Sequence, residues 1–320
     1  SWAWINACST EDPDYFRLRH ASLHRWQIWM QQVDGIWFTA RETFLWDLPP
    51  AELSRAVEGL AALGYPVTLI GGAELAMRLP RLCEIPDCAL HTAIEGAVEP
   101  QATVEALFAA AGADHRQAHV HGLISDGGRV TGVMTDDGPV HADEVILAAG
   151  NATPRLLDTV SVPLEMQSSD GLLVLSEPME PFLSAVVAGP DFHVRQREDG
   201  RLLVGGTFGA YQRRPGNSTL AEDAGDQLLR IGEVFDLPAF PKVEGFTLGT
   251  RPIPKGGMPR IGRCQRPDGE HYEGLYLAVM HSGFSNGAGV AHAAMAEILD
   301  GEAAAELAPF RMPDAPAGQG

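Results

Sequence analysis

The chain has 320 residues, of which 45% are hydrophobic and 20% are charged. This composition is typical of globular proteins, and a chain of this length commonly folds into two domains. Its 42 acidic residues outnumber its 23 lysines and arginines, which gives a net charge of −19. Nucleic acids and anionic membrane surfaces are therefore poor candidates for partners, because phosphate binding depends on clusters of Lys and Arg.

The cysteines and the hydropathy pattern bear on location. The four cysteines (Cys8, Cys83, Cys88 and Cys264) form no CxxC pair, and scattered thiols favour a reducing compartment over a disulfide framework. The sequence has no run of about 18 apolar residues and no basic signal-peptide start, so it predicts no membrane span and no secretion. The expected location is the cytoplasm.

Helical and strand patterns alternate along the first third of the chain. Pro100 stands at the first turn of a predicted helix, where its missing N–H costs nothing. The spacing of apolar residues predicts a helix over 13–32, a strand over 35–46, a helix over 49–64, a strand over 67–70, a helix over 73–79 and a helix over 100–111.

Short β runs follow in the middle of the chain, separated by Asp-Gly and Gly-Gly turns. The sequence predicts strands over 119–124, 129–135 and 145–148, antiparallel strands over 166–187 and 191–207, and then a helix that carries Leu228, Leu229 and Ile231. Residues 309–320 are rich in Pro, Ala and Gly and are predicted to form a frayed tail.

Residues 274–299 combine a strand, a turn of small residues and a helix. Residues 275–279 are an apolar run, residues 281–289 are rich in Ser, Asn and Gly, and residues 291–299 are good helix formers. Backbone N–H groups at a helix start can face an electron-rich ligand atom, and glycines remove the Cβ atoms that would hold a flat ligand away. Many αβ crossovers share this pattern, so a function needs support from elsewhere in the chain.

Four further motifs supply that support. They are SWAWINA at 1–7, EGAVEP at 95–100, HADEVILAAG at 141–150 and GTRPIPKGGMPRIG at 249–262. Together with residues 274–299, this ordered set resembles the flavoprotein family of D-amino-acid, glycine and sarcosine oxidases, and the resemblance covers nearly the whole chain.

The resemblance implies an α/β fold with two discontinuous domains. A Rossmann-like FAD-binding domain would comprise residues 1–34, 95–160 and 251–305. An α+β substrate domain with a large antiparallel or mixed sheet would comprise residues 35–94 and 161–250, and residues 306–320 would be a tail.

One part of the family pattern is missing from the chain. A dinucleotide-binding fold begins with a βαβ unit whose glycines contact the pyrophosphate, and no G-x-G-x-x-G lies near Ser1. We expect a separate N-terminal fragment or chain to supply this unit, which would make the protein a hetero-oligomer. The absence of this unit from the chain could result from a cleavage before Ser1 or from a clipped start.

Arg251, in the GTRPIP motif, is the residue that the resemblance assigns to the substrate. The Arg of this motif in the family holds the substrate carboxylate, and a planar guanidinium matches two carboxylate oxygens. The alternative is a surface or salt-bridged Arg, because the chain carries 42 acidic residues.

The resemblance also implies residues along the cofactor. Those expected at the flavin edge are His281, Ser282, Gly283, Phe284, Ser285, Asn286 and Gly287. Those expected along the rest of the cofactor are Ser1, Trp2, Ala3, Val120, Ala149 and Gly150, with Val120 meeting the adenine through its backbone. A structural His281 held by its own turn is the alternative for that residue, and Met280 stands where family members usually carry Gly.

Three residues are expected on the substrate side by the same resemblance. Trp4 would project toward the substrate side of the ring, His193 could hydrogen-bond the substrate, and Phe208 could shape the side-chain pocket. The alternatives are that Trp2 and Trp4 are core aromatics at period-two spacing and that His193 lies on a solvated strand face.

Other chemistries have little support. The chain lacks GxxxxGK[ST] and HExxH, and His119 and His121 alternate on a strand without a nearby third ligand, so we expect no metal site. Some relatives attach flavin through a Cys near the Arg-Pro pair of GTRPIP, here Arg251 and Pro252 and called the RP motif below. This chain has no Cys between residues 242 and 263, so the expected FAD is non-covalent.

The implied reaction is oxidation of the C–N bond of a small carboxylate-bearing amine, either an amino acid or an N-alkyl amino acid. The substrate would deliver its α-hydrogen as hydride to FAD, and water would hydrolyse the resulting imine. The alternatives are a flavin-dependent hydroxy-acid dehydrogenase and a non-catalytic subunit of a larger oxidase.

Overall fold

The computed structural model describes residues 1–9, 12–207, 211–212, 218–237 and 239–312. Its strands are β1 (Trp4–Ile5), β2 (Ala40–Leu45), β3 (Thr68–Gly71), β4 (Cys88–Ala97), β5 (Val120–Asp126), β6 (Arg129–Thr135), β7 (Gly138–His141), β8 (Val145–Leu147), β9 (Ser169–Ser176), β10 (Val186–Ala188), β11 (His193–Gln196), β12 (Leu202–Gly205), β13 (Val243–Arg251), β14 (Arg260–Gln265) and β15 (His271–Val279). Its α-helices are α1 (Pro13–Gln32), α2 (Pro50–Ala62), α3 (Gly72–Arg78), α4 (Pro100–Ala111), α5 (Thr153–Asp158), α6 (Leu220–Val234) and α7 (Gly283–Met295).

The chain folds into two compact units, and each is discontinuous in sequence. The first comprises Ser1–Ala111 and Asp170–Gly249, and the second comprises Gly112–Ser169 and Thr250–Gly320. The division into a cofactor domain and a substrate domain, with the boundaries given above, stays a prediction.

A nine-stranded mixed sheet forms the frame of the first unit. Its strand order is β1-β4-β2-β10-β11-β12-β9-β13, and β3 pairs with β4. Most neighbours are antiparallel, but β10 runs parallel to β2, with Val187 opposite Phe44. The residues of β10 and β11 are buried throughout, so these two strands lie in the core of the unit.

A smaller six-stranded sheet forms the frame of the second unit. Its path is β14-β15-β6-β5, with β7 beside β6 and β8 beside β15. Its apolar core consists of Leu123, Val130, Leu147, Leu156, Leu157, Val160, Val162, Cys264, Leu275, Leu277 and Val279. The core thus joins strands β5, β6, β8, β14 and β15 to helix α5.

Local sequence signals place several elements accurately. The predicted helices at Pro13–Gln32 and Pro100–Ala111 are confirmed to the residue. For α1 the reason is visible at its start, where the Asp12 side chain accepts a hydrogen bond from the Tyr15 amide at 2.8 Å and Pro13 occupies the first turn.

The segment after α7 differs from its prediction. A π-helical turn at Ala296–Asp300 is followed by a 3₁₀ helix at Ala305–Phe310 in which Leu307 and Phe310 are buried. The prediction of a tail from residue 306 is therefore wrong for this segment, because its apolar side chains pack. Residues 313–320 lie outside the described residues.

Within the described part of the chain, none of the helices has both the length and the apolar character that crossing a membrane requires.

Candidate functional site

The parallel strands β8 and β15 define one edge of the sheet in the second unit. Val145 lies opposite Leu275 and Leu147 opposite Leu277. Because parallel strands end at the same edge, the residues that follow Leu147 and Val279 begin side by side. Ligands of open α/β sheets bind outside this carboxyl edge, which makes the residues after β8 and β15 the natural site candidates.

Helix α7 begins directly after β15, earlier than predicted. The sequence predicts a turn through residues 281–289 and a helix from residue 291, but the helix starts at Gly283. Ser282 precedes it with a left-handed φ of 57°, and the Asn286 amide donates to the Ser282 carbonyl at 3.0 Å. Ser285 and Asn286 are buried, so their packing outweighs their weak helix propensity.

His281 is held by its own turn. Its Nδ1 lies 2.9 Å from the Ser282 hydroxyl. Its backbone carbonyl accepts a hydrogen bond from Asn286 Nδ2 at 3.3 Å, and Asn286 is fully buried. These contacts fix the orientation of His281, and its role at the flavin edge stays a prediction.

The RP motif lies beside the end of β8. Asn151 Nδ2 donates to the Thr250 carbonyl at 3.0 Å, and a Cβ added to Gly150 would approach the Pro252 Cβ to 3.5 Å. Gly150 itself has a φ of 54°, which favours glycine. The second unit therefore brings Gly150, Arg251 and the start of α7 to the same edge of its sheet.

Arg251 is partly removed from water at this edge. Its side chain is half-buried, and desolvation lowers the pKa of its guanidinium. Arginine is not deprotonated in proteins, so this position holds a permanent positive charge in partly desolvated surroundings.

The same edge leaves room for a flat ligand. A Cβ added to Gly283 or Gly287 would meet no atom of the described residues within 4 Å. Ala148 and Ala149, after β8, are exposed. The start of a helix carries a partial positive charge, so the residues present fit a flat ring system that gains negative charge on the side facing α7.

Val120 lies at the start of β5. It stands opposite Thr135 at the end of β6, and β6 runs parallel to β15. The Val120 carbonyl accepts a hydrogen bond from Arg155 at 3.3 Å. Its predicted contact with the adenine stays a prediction.

His119 and His121 have partners within the protein. His119 Nε2 lies 3.1 Å from Arg155, and His121 Nε2 lies 2.5 Å from an Asp136 oxygen. Among the described residues there is no group of three or more side chains that could hold a metal ion.

The other predicted site residues that the structure describes lie in the first unit. Trp2 and His193 are in contact, with ring centroids 4.4 Å apart. His193 is buried, and its Nδ1 lies 2.7 Å from the Gly206 carbonyl. It also stands opposite Gly205, where an added Cβ would clash with the imidazole. The alternative of a solvated strand face is therefore wrong for His193.

Trp4 is likewise buried. Its Nε1 donates to the Thr43 hydroxyl at 3.2 Å, and its exposed fraction is 5%. Ala3 is also buried and has a φ of 51°, whereas Ser1 is exposed. Phe208 lies outside the described residues. The cofactor and substrate roles of these four residues stay predictions.

The sequence interpretation missed two buried ionic groups. Arg195 is fully buried and pairs with Glu99 at 2.8 Å, and Glu95 is fully buried beneath the opening segment. Glu95 and Glu99 both belong to the EGAVEP motif. The signal available was the placement of acidic residues in a strand-like run, but their partners are far away in sequence.

Comparison with known proteins gives a consistent result. Residues 1–301 match the DAO family, described as FAD dependent oxidoreductase. Glycine oxidase of Pseudomonas aeruginosa is 27% identical over 279 residues, which is 85% of this chain and 68% of that protein. Glycine oxidase of Pseudomonas putida is 33% identical over 169 residues, which is 51% of this chain and 42% of that protein.

Solved structures agree on the fold. Glycine oxidase from Geobacillus kaustophilus superposes with a TM-score of 0.77 at 21% identity, covering 97% of this chain and 86% of that one. L-amino acid deaminase from Proteus vulgaris gives a TM-score of 0.82 at 17% identity, covering 97% and 82%. At these identities the likeness establishes the fold alone.

Proposed function

The chain belongs to the DAO family of FAD-dependent oxidoreductases, and on that premise we propose that it oxidises the C–N bond of an amino acid or N-alkyl amino acid. The observation that carries the proposal is the convergence of Gly150, Arg251 and the start of α7 at one sheet edge in the second unit. This edge offers a cation for a carboxylate and a helix start for an electron-rich ring.

Arg251 would bind the substrate carboxylate. Its guanidinium can donate two parallel hydrogen bonds to the two oxygens, which fixes the orientation of the substrate as well as its position. Because the side chain is half-buried, the attraction is screened less than it would be at an exposed site.

The start of α7 would bind the flavin edge. When bound, FAD would accept the hydride that the substrate releases from its α-carbon. The part of this chain is to stabilise the negative charge that then develops, through the helix start and the turn at His281–Gly287. The small residues Ala149, Gly283 and Gly287 leave space for the ring.

The cysteines support non-covalent attachment. Cys264 is the cysteine nearest to the RP motif in sequence, and it is fully buried. Burial raises the pKa of its thiol to about 12. A protonated, inaccessible thiol is a poor nucleophile, so Cys264 is a poor attachment point for flavin.

The first βαβ unit would dock beside β8. Among the described residues β8 pairs with β15 alone, and Ile146 on β8 is 49% exposed. A strand at the edge of a sheet presents unpaired backbone N–H and C=O groups, so this edge is suited to a further parallel strand. The intact mass of all components of the flavin-loaded protein tests the idea, which fails if the first βαβ unit is found neither on this polypeptide nor on a companion.

The test of the proposed function is an absorbance spectrum followed by anaerobic titration with D-, L- and N-methyl amino acids. We expect an oxidised flavin spectrum that one of these amines bleaches. Bleaching by hydroxy acids with no response to amines would instead support the hydroxy-acid dehydrogenase. A flavin-free or unresponsive protein would support the non-catalytic subunit.

A further inference from the structure

Two buried charged side chains hold the backbone that follows β1. Arg19, in α1, is 5% exposed. Its Nε donates to the Asn6 carbonyl at 3.1 Å, and its Nη2 donates to Asn6 Oδ1 at 2.6 Å. Glu95, in β4, is fully buried and accepts from the amides of Ala7 and Cys8 at 2.8 and 2.9 Å. Arg19 thus binds the oxygens of Asn6. Glu95 binds the backbone amides of the next two residues, Ala7 and Cys8.

The Glu95 carboxylate has two further donors. The Tyr65 hydroxyl lies 2.5 Å from Oε1, and the Cys8 thiol lies 3.2 Å from Oε2. Burial next to this carboxylate raises the pKa of both Tyr65 and Cys8. Both groups therefore keep their protons and remain donors.

Beyond the last residue pair of β1 and β4, the Glu95 carboxylate replaces the backbone hydrogen bonds of the sheet. β1 pairs with β4 at Trp4–Ala97 and Ile5–Gly96. Beyond Ile5 the chain leaves the sheet, and the side chain of Glu95, next to Gly96 on β4, binds the amides of Ala7 and Cys8 in place of a backbone partner. Buried charges are costly, so a turn held by two of them is expected to be fixed for a purpose beyond filling the core.

We propose that Glu95 and Arg19 are positioning residues that fix the opening segment, residues 1–8, in the conformation that binds the flavin. The inference rests on the proposed function and on the family resemblance, which assigns Ser1, Trp2 and Ala3 of the opening segment to the cofactor. Glu95 and Arg19 are both buried. They act through the backbone of Asn6, Ala7 and Cys8, which sets the course of the residues before them.

Flavin retention tests the proposal with variants of matched severity. Glu95→Gln keeps one acceptor oxygen but removes the charge and the other acceptor. Arg19→Lys keeps the charge but loses the planar guanidinium that donates through both Nε and Nη2. The control is Leu53→Ala, which truncates a side chain of α2 that is 2% exposed in the same unit. We expect Glu95→Gln to weaken FAD binding about tenfold or more, Arg19→Lys to weaken it less, and Leu53→Ala to lower the melting temperature while keeping FAD.

Alkylation of Cys8 by iodoacetamide, mapped by mass spectrometry, tests whether Glu95 holds the opening segment in place, and it does not depend on flavin. Cys8 should be protected in the parent protein and should react about tenfold faster in Glu95→Gln, while buried Cys264 of the other unit stays protected in both. Unchanged FAD affinity and unchanged Cys8 protection in Glu95→Gln would overturn the inference, as would an FAD loss in Leu53→Ala as large as in Glu95→Gln. If the parent protein binds no flavin, the proposed function fails, whatever the Cys8 result shows.

Discussion

Asn151 donates a hydrogen bond from Nδ2 to the backbone carbonyl of Thr250, 3.0 Å away and 99 positions along the chain. Asn151 follows the end of β8, and Thr250 directly precedes Arg251. Ser168 in turn donates from its hydroxyl to Asn151 Oδ1 at 2.6 Å. The amide of Asn151 is therefore one link that holds the RP motif against the carboxyl edge of the sheet.

Replacing Asn151 with Ala should loosen the position of Arg251. We expect the KM for carboxylate substrates to rise about three- to tenfold, since one hydrogen bond is lost, while FAD stays bound. Lys255→Ala is the matched control, because Lys255 lies in the same segment but forms an exposed ion pair with Glu165. Steady-state kinetics of both variants give the comparison, and equal effects would contradict a specific role for Asn151.

Replacing Arg251 with Ala should raise the KM for carboxylate substrates by about tenfold or more, because charge-assisted hydrogen bonds are lost. The flavin spectrum should be unchanged. Arg129→Ala serves as the control, since Arg129 is an exposed Arg paired with Glu273 in the same unit. An equal rise in KM for an amine that lacks a carboxylate would show that Arg251 does not bind that group.

Replacing Gly287 with Ala should separate flavin binding from stability. The residue lies inside α7, and an added Cβ meets no atom of the described residues within 4 Å. The free energy of unfolding of the apoprotein should therefore rise by up to about 1 kcal/mol. FAD affinity should fall about tenfold, because the methyl group would enter the space assigned to the ring.

The control for this variant is Gly59→Ala in α2, where an added Cβ also meets nothing within 4 Å. It should give a similar gain in stability and leave FAD affinity unchanged. Thermal melts of the apoproteins and fluorescence titration with FAD provide both quantities. Unchanged FAD affinity in Gly287→Ala would show that the flavin ring does not bind against this face of α7.

Cys264 should make stability fall at alkaline pH. Its pKa is raised by burial from 9.0 to about 12, so the folded state keeps a proton that the unfolded state loses. The contribution is fully present below the unfolded pKa and is lost progressively as pH rises from about 9 towards 12, at up to about 1.4 kcal/mol per pH unit. Urea denaturation across this window measures it.

Cys264→Ala provides the comparison for that slope. Tyrosines and lysines titrate in the same window, so the difference between the two pH profiles isolates the thiol. The variant should be less stable at pH 7, because Cys264 belongs to the core of the second unit, but its stability should fall less steeply above pH 9. Parallel profiles would contradict the assignment.

Local signals in the sequence determined a large part of this protein. The helices at Pro13–Gln32 and Pro100–Ala111 follow from a proline in the first turn and from apolar spacing. The ordered motifs identified the family, because the order of motifs along a chain can be read without knowing which residues are in contact. The predicted helix start at residue 291 failed because propensity is local, while packing of Ser285 and Asn286 is not.

Only the tertiary structure decided which residues meet. The register of β8 beside β15 and the Asn151–Thr250 bond place the RP motif at the carboxyl edge. Likewise, Glu95 meets Ala7 across 88 positions. Sequence periodicity carries no information on such contacts, because strand register and buried ion partners depend on parts of the chain that are distant in sequence and are joined only by folding.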